Sequence, residues 1–275
     1  MSIDTQTIVK LREQTGAGIG DCQKALEEAG GELTKAVEIL RKSGEIKAAK
    51  KSDRSANEGV IAIARDGLAS LDASRSRQKV AAVVLNCETD FVARNDDFIK
   101  TADKLAQKLL ESNIEEFGSW AEAVIKNELA VKIGENIKLS RYEILSGAVI
   151  GSYLHSNKKV AAVVVLTGGS DALAGDIAMH VAAMNPLYLD IQDIPPAVLE
   201  KEKEIYREQL KQRGKPASTQ RGEPENIWAK IIEGKLAKYY EDNCLLKQVF
   251  IKDEDKKIAD LLSGVSIKQF SRYQV

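Results

Sequence analysis

The stretch from Lys79 to Asn95 constrains the fold of this chain more than any other. An apolar, β-branched run, Lys79–Leu85, leads into an acidic turn, and a large aromatic residue, Phe91, follows at once. The turn consists of Glu88, Thr89 and Asp90. Asn95 can then cap an amphipathic helix. This order places a carboxylate beside an apolar ring where the chain leaves a sheet, and binding residues concentrate on connections that a rigid scaffold holds.

The same apolar run has a near-copy later in the chain. Lys79–Leu85 recurs as Lys159–Val165, and in both places another apolar run precedes it and a helix-like segment follows. The pattern predicts a duplicated unit of two strands and a helix. The alternative is that buried strands look alike because they share Val and Ala. The second copy has Thr167–Asp171 in place of the acid–aromatic pair, so the first copy is the specialised one.

Bulk composition excludes several classes of protein. The 275 residues leave room for roughly two domains, and a net charge of −1 gives no global field for nucleic acid. Three widely spaced cysteines form neither a disulfide framework nor a zinc motif, which fits a reducing cytoplasm. No apolar run is typical of a signal peptide or long enough for a membrane span. We therefore expect a cytoplasmic protein without a membrane or nucleic-acid partner.

Hydrophobic periodicity divides the chain into four parts. Helical patterns within residues 1–44 predict three short helices, of which the second is capped by Asp21 and the third ends at Gly44. A polar, Lys-rich segment predicts a linker over 45–57. Strand patterns then predict a core whose first half is 58–145 and whose second half is 146–275.

Within that core, several elements are predicted individually. Residues 120–133 have the period of a helix, and two charged helices at about 196–242 predict a helical hairpin. The tail predicts a strand over 245–251 and a short helix over 255–262.

Other chemical interpretations are weaker. The glycine-rich stretch Thr15–Asp21 is not a phosphate loop, because it follows a helix and lacks the required lysine, so no direct nucleotide binding is expected. His180 lies on an apolar helix and is typical of a core histidine, whereas His155 ends a strand and is the better functional candidate. No ligand spacing predicts a metal or cofactor site. A phenylalanine after a strand, such as Phe91, is more often core than exposed.

Motifs spread along the chain resemble those of bacterial elongation factor Ts. They run in one order from about Ile8 to Leu262. They are Leu11–Leu26, Leu40–Gly44 with Lys47–Lys51, Thr89–Val92, Lys132–Ile137, Gly151–His155 and Ile177–His180. The resemblance implies an α+β fold with an N-terminal three-helix bundle like a ubiquitin-associated domain. A core of two related halves with antiparallel sheets and a projecting helical hairpin would follow.

The resemblance also implies a function and its residues. It implies a guanine nucleotide exchange factor, not an enzyme, that binds the GTPase elongation factor Tu in its GDP-bound form during protein synthesis. The segment that would dislocate the partner's Mg²⁺ comprises Thr89, Asp90, Phe91 and Val92. The other partner-binding residues would be Val9, Lys10, Leu11, Arg12, Ile19 and His155. Some members of the family carry two methionines where this chain has Ile19 and Gly20. Because Gly20 has no side chain, the contact expected there is weaker.

Two other functions compete with this one. A helical adaptor would bind a partner through the N-terminal bundle alone, so the first 56 residues would retain full affinity. An enzyme would use Asp90 and His155, with Cys87 as a possible third member, and would turn over a small molecule without any GTPase. No spacing supports that catalytic group.

Overall fold

The computed structural model describes residues 3–49, 54–66, 78–212 and 225–275. The chain forms two compact units. The first comprises Met1–Gly147, Leu154–Ala161 and Tyr273–Val275, and the second comprises Ala148–Tyr153 and Ala162–Arg272. Three N-terminal helices precede antiparallel sheets with associated helices, so the predicted α+β class is confirmed.

The N-terminal helices are α1 (Thr5–Thr15), α2 (Ile19–Glu28) and α3 (Leu33–Ala49). Asp4 caps α1 through its side chain, and Gly16 ends it in the left-handed conformation. The three helices share a small apolar core that comprises Leu11, Ala17, Cys22, Ala25, Leu26, Ala36 and Leu40. The predicted three-helix bundle is therefore present.

Two predicted boundaries in this bundle are wrong. Gly18, not Asp21, precedes α2, and its carbonyl accepts from the amides of both Asp21 and Cys22. Helix α3 continues through Gly44 to Ala49, because the residues after Gly44 are strong helix formers and the glycine does not take up a left-handed turn. The predicted linker over 45–57 thus begins as helix, and its residues 50–53 lie outside the described part of the chain.

The first sheet consists of β1 (Glu58–Arg65), β2 (Gln78–Cys87) and a later strand, Lys138–Gly147. Strand β2 lies in the centre and pairs antiparallel on both sides. It leads into a four-residue helix, α4 (Asp90–Ala93), and then into α5 (Asp96–Glu111), which Asn95 caps as predicted. The apolar face of α5 packs on this sheet and forms the main core of the first unit. Residues that complete this core include Val83, Leu85, Phe98, Leu105 and Leu109.

The segment before the third strand is helical over a longer range than predicted. Helix α6 (Ile114–Val124) begins at an Asn113 cap, so the predicted start at residue 120 is too late. A wide π-helical turn, Ile125–Leu129, connects it to α7 (Ala130–Ile133). Strand β3 (Lys138–Gly147) follows.

The second sheet repeats the arrangement of the first. Strands β4 (Val149–Leu154) and β5 (Val160–Leu166) precede helix α8 (Asp171–Met184), and a strand from the chain's end completes the sheet beside β5. In both sheets the order is first, second and third strand along the chain. The shared strand order supports the predicted duplication.

Two long helices follow in the second unit. Helix α9 (Pro196–Gln212) and helix α10 (Glu225–Asn243) pack together, and Lys235 donates to Gln209 and lies over the ring of Tyr206. The predicted helical hairpin is therefore present, and its turn, residues 213–224, lies outside the described residues.

The C-terminal predictions are right only in part. Residues Leu245–Lys247 form a short 3-10 turn, and the strands β6 (Val249–Phe250) and β7 (Asp253–Lys257) form a small ladder. A second 3-10 turn, Ile258–Leu261, replaces the predicted helix. The last strand of the second sheet, β8 (Ile267–Gln274), was not predicted. Both β7 and β8 are rich in polar residues, so neither has the apolar pattern of a strand.

Helix α8 lies directly on the backbone of β4 at Gly151. A Cβ atom built on Gly151 would lie 2.0 Å from the carbonyl carbon of Ala174 and 2.4 Å from the amide nitrogen of Gly175. Real Cβ atoms do not approach backbone atoms this closely. Only glycine at this position permits the observed packing of helix on sheet.

We expect Gly151→Ala to destabilise the second unit by about 2–3 kcal/mol, because the helix must move away from the strand. Urea unfolding followed by circular dichroism measures this change. Gly175→Ala is the matched control, since a Cβ there meets nothing within 4 Å, and helix propensity predicts an unchanged or slightly higher stability. Equal stability of Gly151→Ala and the parent would contradict the packing described.

His180 is a buried member of the second unit, as its apolar surroundings predict. Its Nε2 lies 3.0 Å from Oε1 of Gln248, and its Nδ1 accepts from the amide of Ile251 at 3.4 Å. The Gln248 side chain in turn donates to the carbonyl of Asp242. These partners suit a neutral ring that carries its proton on Nε2. Burial lowers the pKa of His180 below its ordinary value of 6.5, and the bond to Gln248 offsets part of that effect.

Because the folded-state pKa is lowered, the unfolded chain binds the proton more readily near neutral pH. We expect the free energy of unfolding to fall as pH decreases from about 7.5 to 6. His180→Gln should remove that part of the pH dependence, and His155→Ala should retain it. Urea unfolding at several pH values is the measurement. An identical pH dependence in His180→Gln and the parent would contradict this account.

Candidate functional site

The residues Thr89–Val92, named here the acid–aromatic element, form the exit from the central strand β2. Cys87 at the strand's end is buried, and the Thr89 hydroxyl caps α4 by accepting from the amide of Val92 at 3.4 Å. Val92 packs against the main core, and Ala93 is buried. One side of this single helical turn is therefore fixed to the core, while the other side faces outward.

Phe91 lies on the outward side. Its exposed fraction is 82%, the highest among the large apolar residues found exposed in the described residues. The expectation from composition that a phenylalanine after a strand belongs to the core is therefore wrong here. The core positions are taken by Val92 and Ala93, which leaves the ring of Phe91 available to a partner. Aromatic side chains are enriched among the residues that dominate binding energy at interfaces.

Asp90 lies beside this ring with its carboxylate partly exposed. It pairs with Arg94, one helical turn later, at 3.0 Å, and Arg94 is itself 80% exposed. Ion pairs this exposed contribute little to stability, because water screens them. The carboxylate can therefore exchange Arg94 for another cationic or hydrogen-bonding group at small energetic cost.

A set of residues that we name the acidic clamp joins the turn before α4 to the loop after α7. It comprises Glu88, Thr89, Glu135 and Asn136. The Glu135 carboxylate accepts from the amides of Glu88 and Thr89 at 3.0 and 3.1 Å, and from the Thr89 hydroxyl at 2.6 Å. In the opposite direction, the Glu88 carboxylate accepts from the amide of Asn136 at 2.7 Å.

Sequence reasoning missed Glu135, although Lys132–Ile137 was among the motifs that carried the resemblance. The two segments lie more than forty residues apart, so no local pattern indicates their contact. The available signal was Gly134, which ends α7 with φ +72° and turns the chain so that Glu135 meets β2's exit. A side chain with a Cβ would be strained in that conformation.

Cys87 is unsuited to nucleophilic chemistry. Burial, and to a smaller extent the neighbouring carboxylates of Glu135 and Glu58, raise the pKa of its thiol to about 12, so the thiol stays protonated at neutral pH. Its sulfur donates to the carbonyl of Thr89. Cys87 is a buried side chain that supports the turn after β2.

His155 is exposed and belongs to the same compact unit as the acid–aromatic element. Its amide donates to Val160 across a tight turn, and its carbonyl accepts from the amide of Lys158. The turn is attached to the unit by several contacts. The amide of Ile61 in β1 donates to the Lys158 carbonyl, and Lys158 and Lys159 pair with Asp103 and Glu58.

The predicted contact residues of the N-terminal bundle divide into two groups. Val9, Lys10 and Arg12 of α1 are exposed, and Ile19 at the start of α2 is 57% exposed. The prediction that Leu11 contacts the partner is wrong, because its side chain is completely buried in the core of the bundle. Val9 is 48% exposed.

The described residues contain neither a metal-binding cluster nor a membrane-spanning helix. Within residues 3–49, 54–66, 78–212 and 225–275, no three His, Cys, Asp or Glu side chains are grouped so as to hold a metal ion. Over the same ranges, none of the helices combines the length and the apolar character needed to cross a membrane.

The fold and the site together define an α+β protein whose exposed acid–aromatic turn is attached to a rigid core. Comparison with known proteins agrees: the family model described as elongation factor TS matches residues 88–275. The elongation factor Ts of Aquifex aeolicus is 41% identical over 302 aligned residues, which cover 100% of this chain and 98% of that protein. The corresponding proteins of Deinococcus radiodurans and Methylococcus capsulatus are 40% and 42% identical, over 98% and 100% of this chain and 98% and 92% of their own lengths.

The chain therefore belongs to the elongation factor Ts family. Membership of this family supports a role in the elongation stage of protein synthesis.

Proposed function

We propose that this protein is a guanine nucleotide exchange factor for the GTPase elongation factor Tu. It binds the GDP-bound GTPase, disturbs the Mg²⁺ site there and promotes release of GDP. The protein acts by binding and carries out no covalent step of its own. The observation that carries the proposal is the exposed ring of Phe91, next to the Asp90 carboxylate, on a turn that the core and the acidic clamp hold in place.

The mechanism follows from how GTPases hold their nucleotide. In such proteins a Mg²⁺ ion bridges phosphate oxygens and is itself held by a hydroxyl and an aspartate. An apolar ring inserted between elements of the GTPase domain would displace the segments that carry those ligands. Asp90 would add a negative charge that competes for the cationic and hydrogen-bonding groups there. The nucleotide then loses contacts without any bond being broken.

The partner surface is proposed to extend beyond this turn. His155 lies in the same compact unit, on a turn that two ion pairs attach to that unit. The exposed side chains of Val9, Lys10, Arg12 and Ile19 would meet the GTPase domain. These contacts would supply affinity, whereas the acid–aromatic element would supply the distortion.

Release of fluorescent GDP from elongation factor Tu of the same organism tests the proposal. We expect substoichiometric amounts of this protein to accelerate release, because each molecule acts repeatedly. Stopped-flow fluorescence with excess unlabelled nucleotide measures the rate. A folded protein that binds the GTPase without accelerating release would instead support the adaptor function.

We expect Phe91→Ala to reduce the saturating rate of GDP release by about tenfold or more, with a smaller loss of affinity. The reason is that the ring would make its principal contacts in the distorted complex. Titration of the release rate against protein concentration separates the two quantities. The variant should unfold like the parent, because the ring is exposed in the free protein.

Ile114→Ala is the matched control for Phe91→Ala, because Ile114 is another exposed apolar residue of the same unit, outside the proposed surface. It should leave both the rate and the affinity unchanged. Equal losses of rate and affinity in Phe91→Ala would count against a distorting role for the ring.

We expect His155→Ala to weaken binding of the GTPase by about tenfold, with the saturating release rate nearly unchanged. Its side chain would contact the partner without entering the nucleotide site. The dissociation constant for the nucleotide-free GTPase is the measurement. The neighbouring Ser156→Ala is the control, and an unchanged constant in His155→Ala would remove this residue from the interface.

A further inference from the structure

We propose that Glu135 is a positioning residue that fixes the direction of the acid–aromatic element, and that it acts through Thr89 rather than by touching the partner. This inference deepens the proposed exchange function and rests on it. It assigns a role to the loop after α7, which lies far from the element along the chain.

The Glu135 carboxylate uses both of its oxygens on two consecutive residues. One oxygen accepts from the amides of Glu88 and Thr89, and the other accepts from the Thr89 hydroxyl at 2.6 Å. Hydrogen bonds to an ionised carboxylate are stronger than bonds between neutral groups. Three such bonds to adjacent groups fix the orientation of the backbone just before α4.

The Thr89 hydroxyl connects this anchor to the element itself. While it donates to Glu135, it accepts from the amide of Val92 and so caps α4. Removal of the Glu135 carboxylate would free this hydroxyl to rotate, and the cap would lose its fixed geometry. The effect would therefore reach the turn that carries Asp90 and Phe91.

The reciprocal bonds of the acidic clamp make the loop after α7 rigid enough to serve as an anchor. The Glu88 carboxylate accepts from the amide of Asn136 and lies 3.5 Å from the Arg54 guanidinium. The buried Asn136 side chain donates to the Arg54 carbonyl at 2.7 Å. Three separate segments of the chain thus meet at the exit of β2.

Helix α4 needs such external support because it has only four residues. A single helical turn does not form stably alone, since nucleation of a helix is unfavourable. Phe91 makes few contacts with its own chain, so the backbone of residues 88–90 sets the direction of its ring. Small errors in the position of a functional group greatly reduce its effect.

The first test needs no GTPase. Amide hydrogen exchange of the full-length protein, followed by mass spectrometry, reports on the segment 88–93. We expect Glu135→Ala to accelerate exchange at the Glu88 and Thr89 amides by about tenfold, because their acceptor is lost. Glu135→Gln keeps a carbonyl oxygen for the amides and an amide group for the hydroxyl, so it should remain close to the parent. Unchanged protection in β2 would show that the variants are folded.

The second test measures GDP release from elongation factor Tu. We expect Glu135→Ala to lower the saturating rate by about tenfold and Glu135→Gln to restore most of it. The matched control is Glu122→Ala, which removes an exposed carboxylate of α6 that is paired only loosely, at 3.9 Å, with Lys126. That control should release GDP at the parental rate.

A double variant separates positioning from a general loss of structure. If Glu135 acts through the ring, Glu135→Ala should have little further effect once Phe91 is already alanine. The same loss in both backgrounds, or a parental rate in Glu135→Ala, would overturn the inference. If the parent protein itself fails to accelerate release, the proposed function fails instead, and the hydrogen-exchange result alone decides whether Glu135 orders the segment.

Discussion

The end of β2 is the point on which the rest of the site depends. This strand lies in the centre of the first sheet, is buried over most of its length and stops at Cys87, so the next residues begin from a fixed position. The core takes up Val92 and Ala93. With those two side chains inside, the helical turn directs Phe91 outward and keeps Asp90 next to it.

Hydrogen bonds restrain the turn after β2 in addition to the packing of the apolar core. The acidic clamp joins the exit of β2 to the loop at Gly134–Asn136 through hydrogen bonds in both directions. Since the clamp holds backbone groups, it restrains the turn without covering the ring or the carboxylate. An exposed element can thus be well ordered, which is what a protein needs if it is to distort a partner instead of being distorted.

Much of this arrangement was predictable from the sequence where the signal is local. The Asn95 cap, the apolar strand before Glu88 and the left-handed stop at Gly16 follow from patterns within a few residues. Contacts between distant segments were not predictable, and Glu135 on Thr89 is the clearest case. Burial of single residues was also missed: Leu11, expected at the partner surface, is completely buried in the core of the bundle. The polar strand β8 had no apolar alternation to reveal it.

If this protein promotes release of GDP, its own binding and the binding of GDP to the GTPase must oppose each other. Thermodynamic linkage requires the two effects to be equal. Calorimetric titration of elongation factor Tu with this protein, in the presence and absence of GDP, measures the coupling directly. We predict that GDP weakens the binding of this protein by at least about fivefold, and by the same factor by which this protein weakens the binding of GDP. Equal affinities with and without GDP would contradict this prediction.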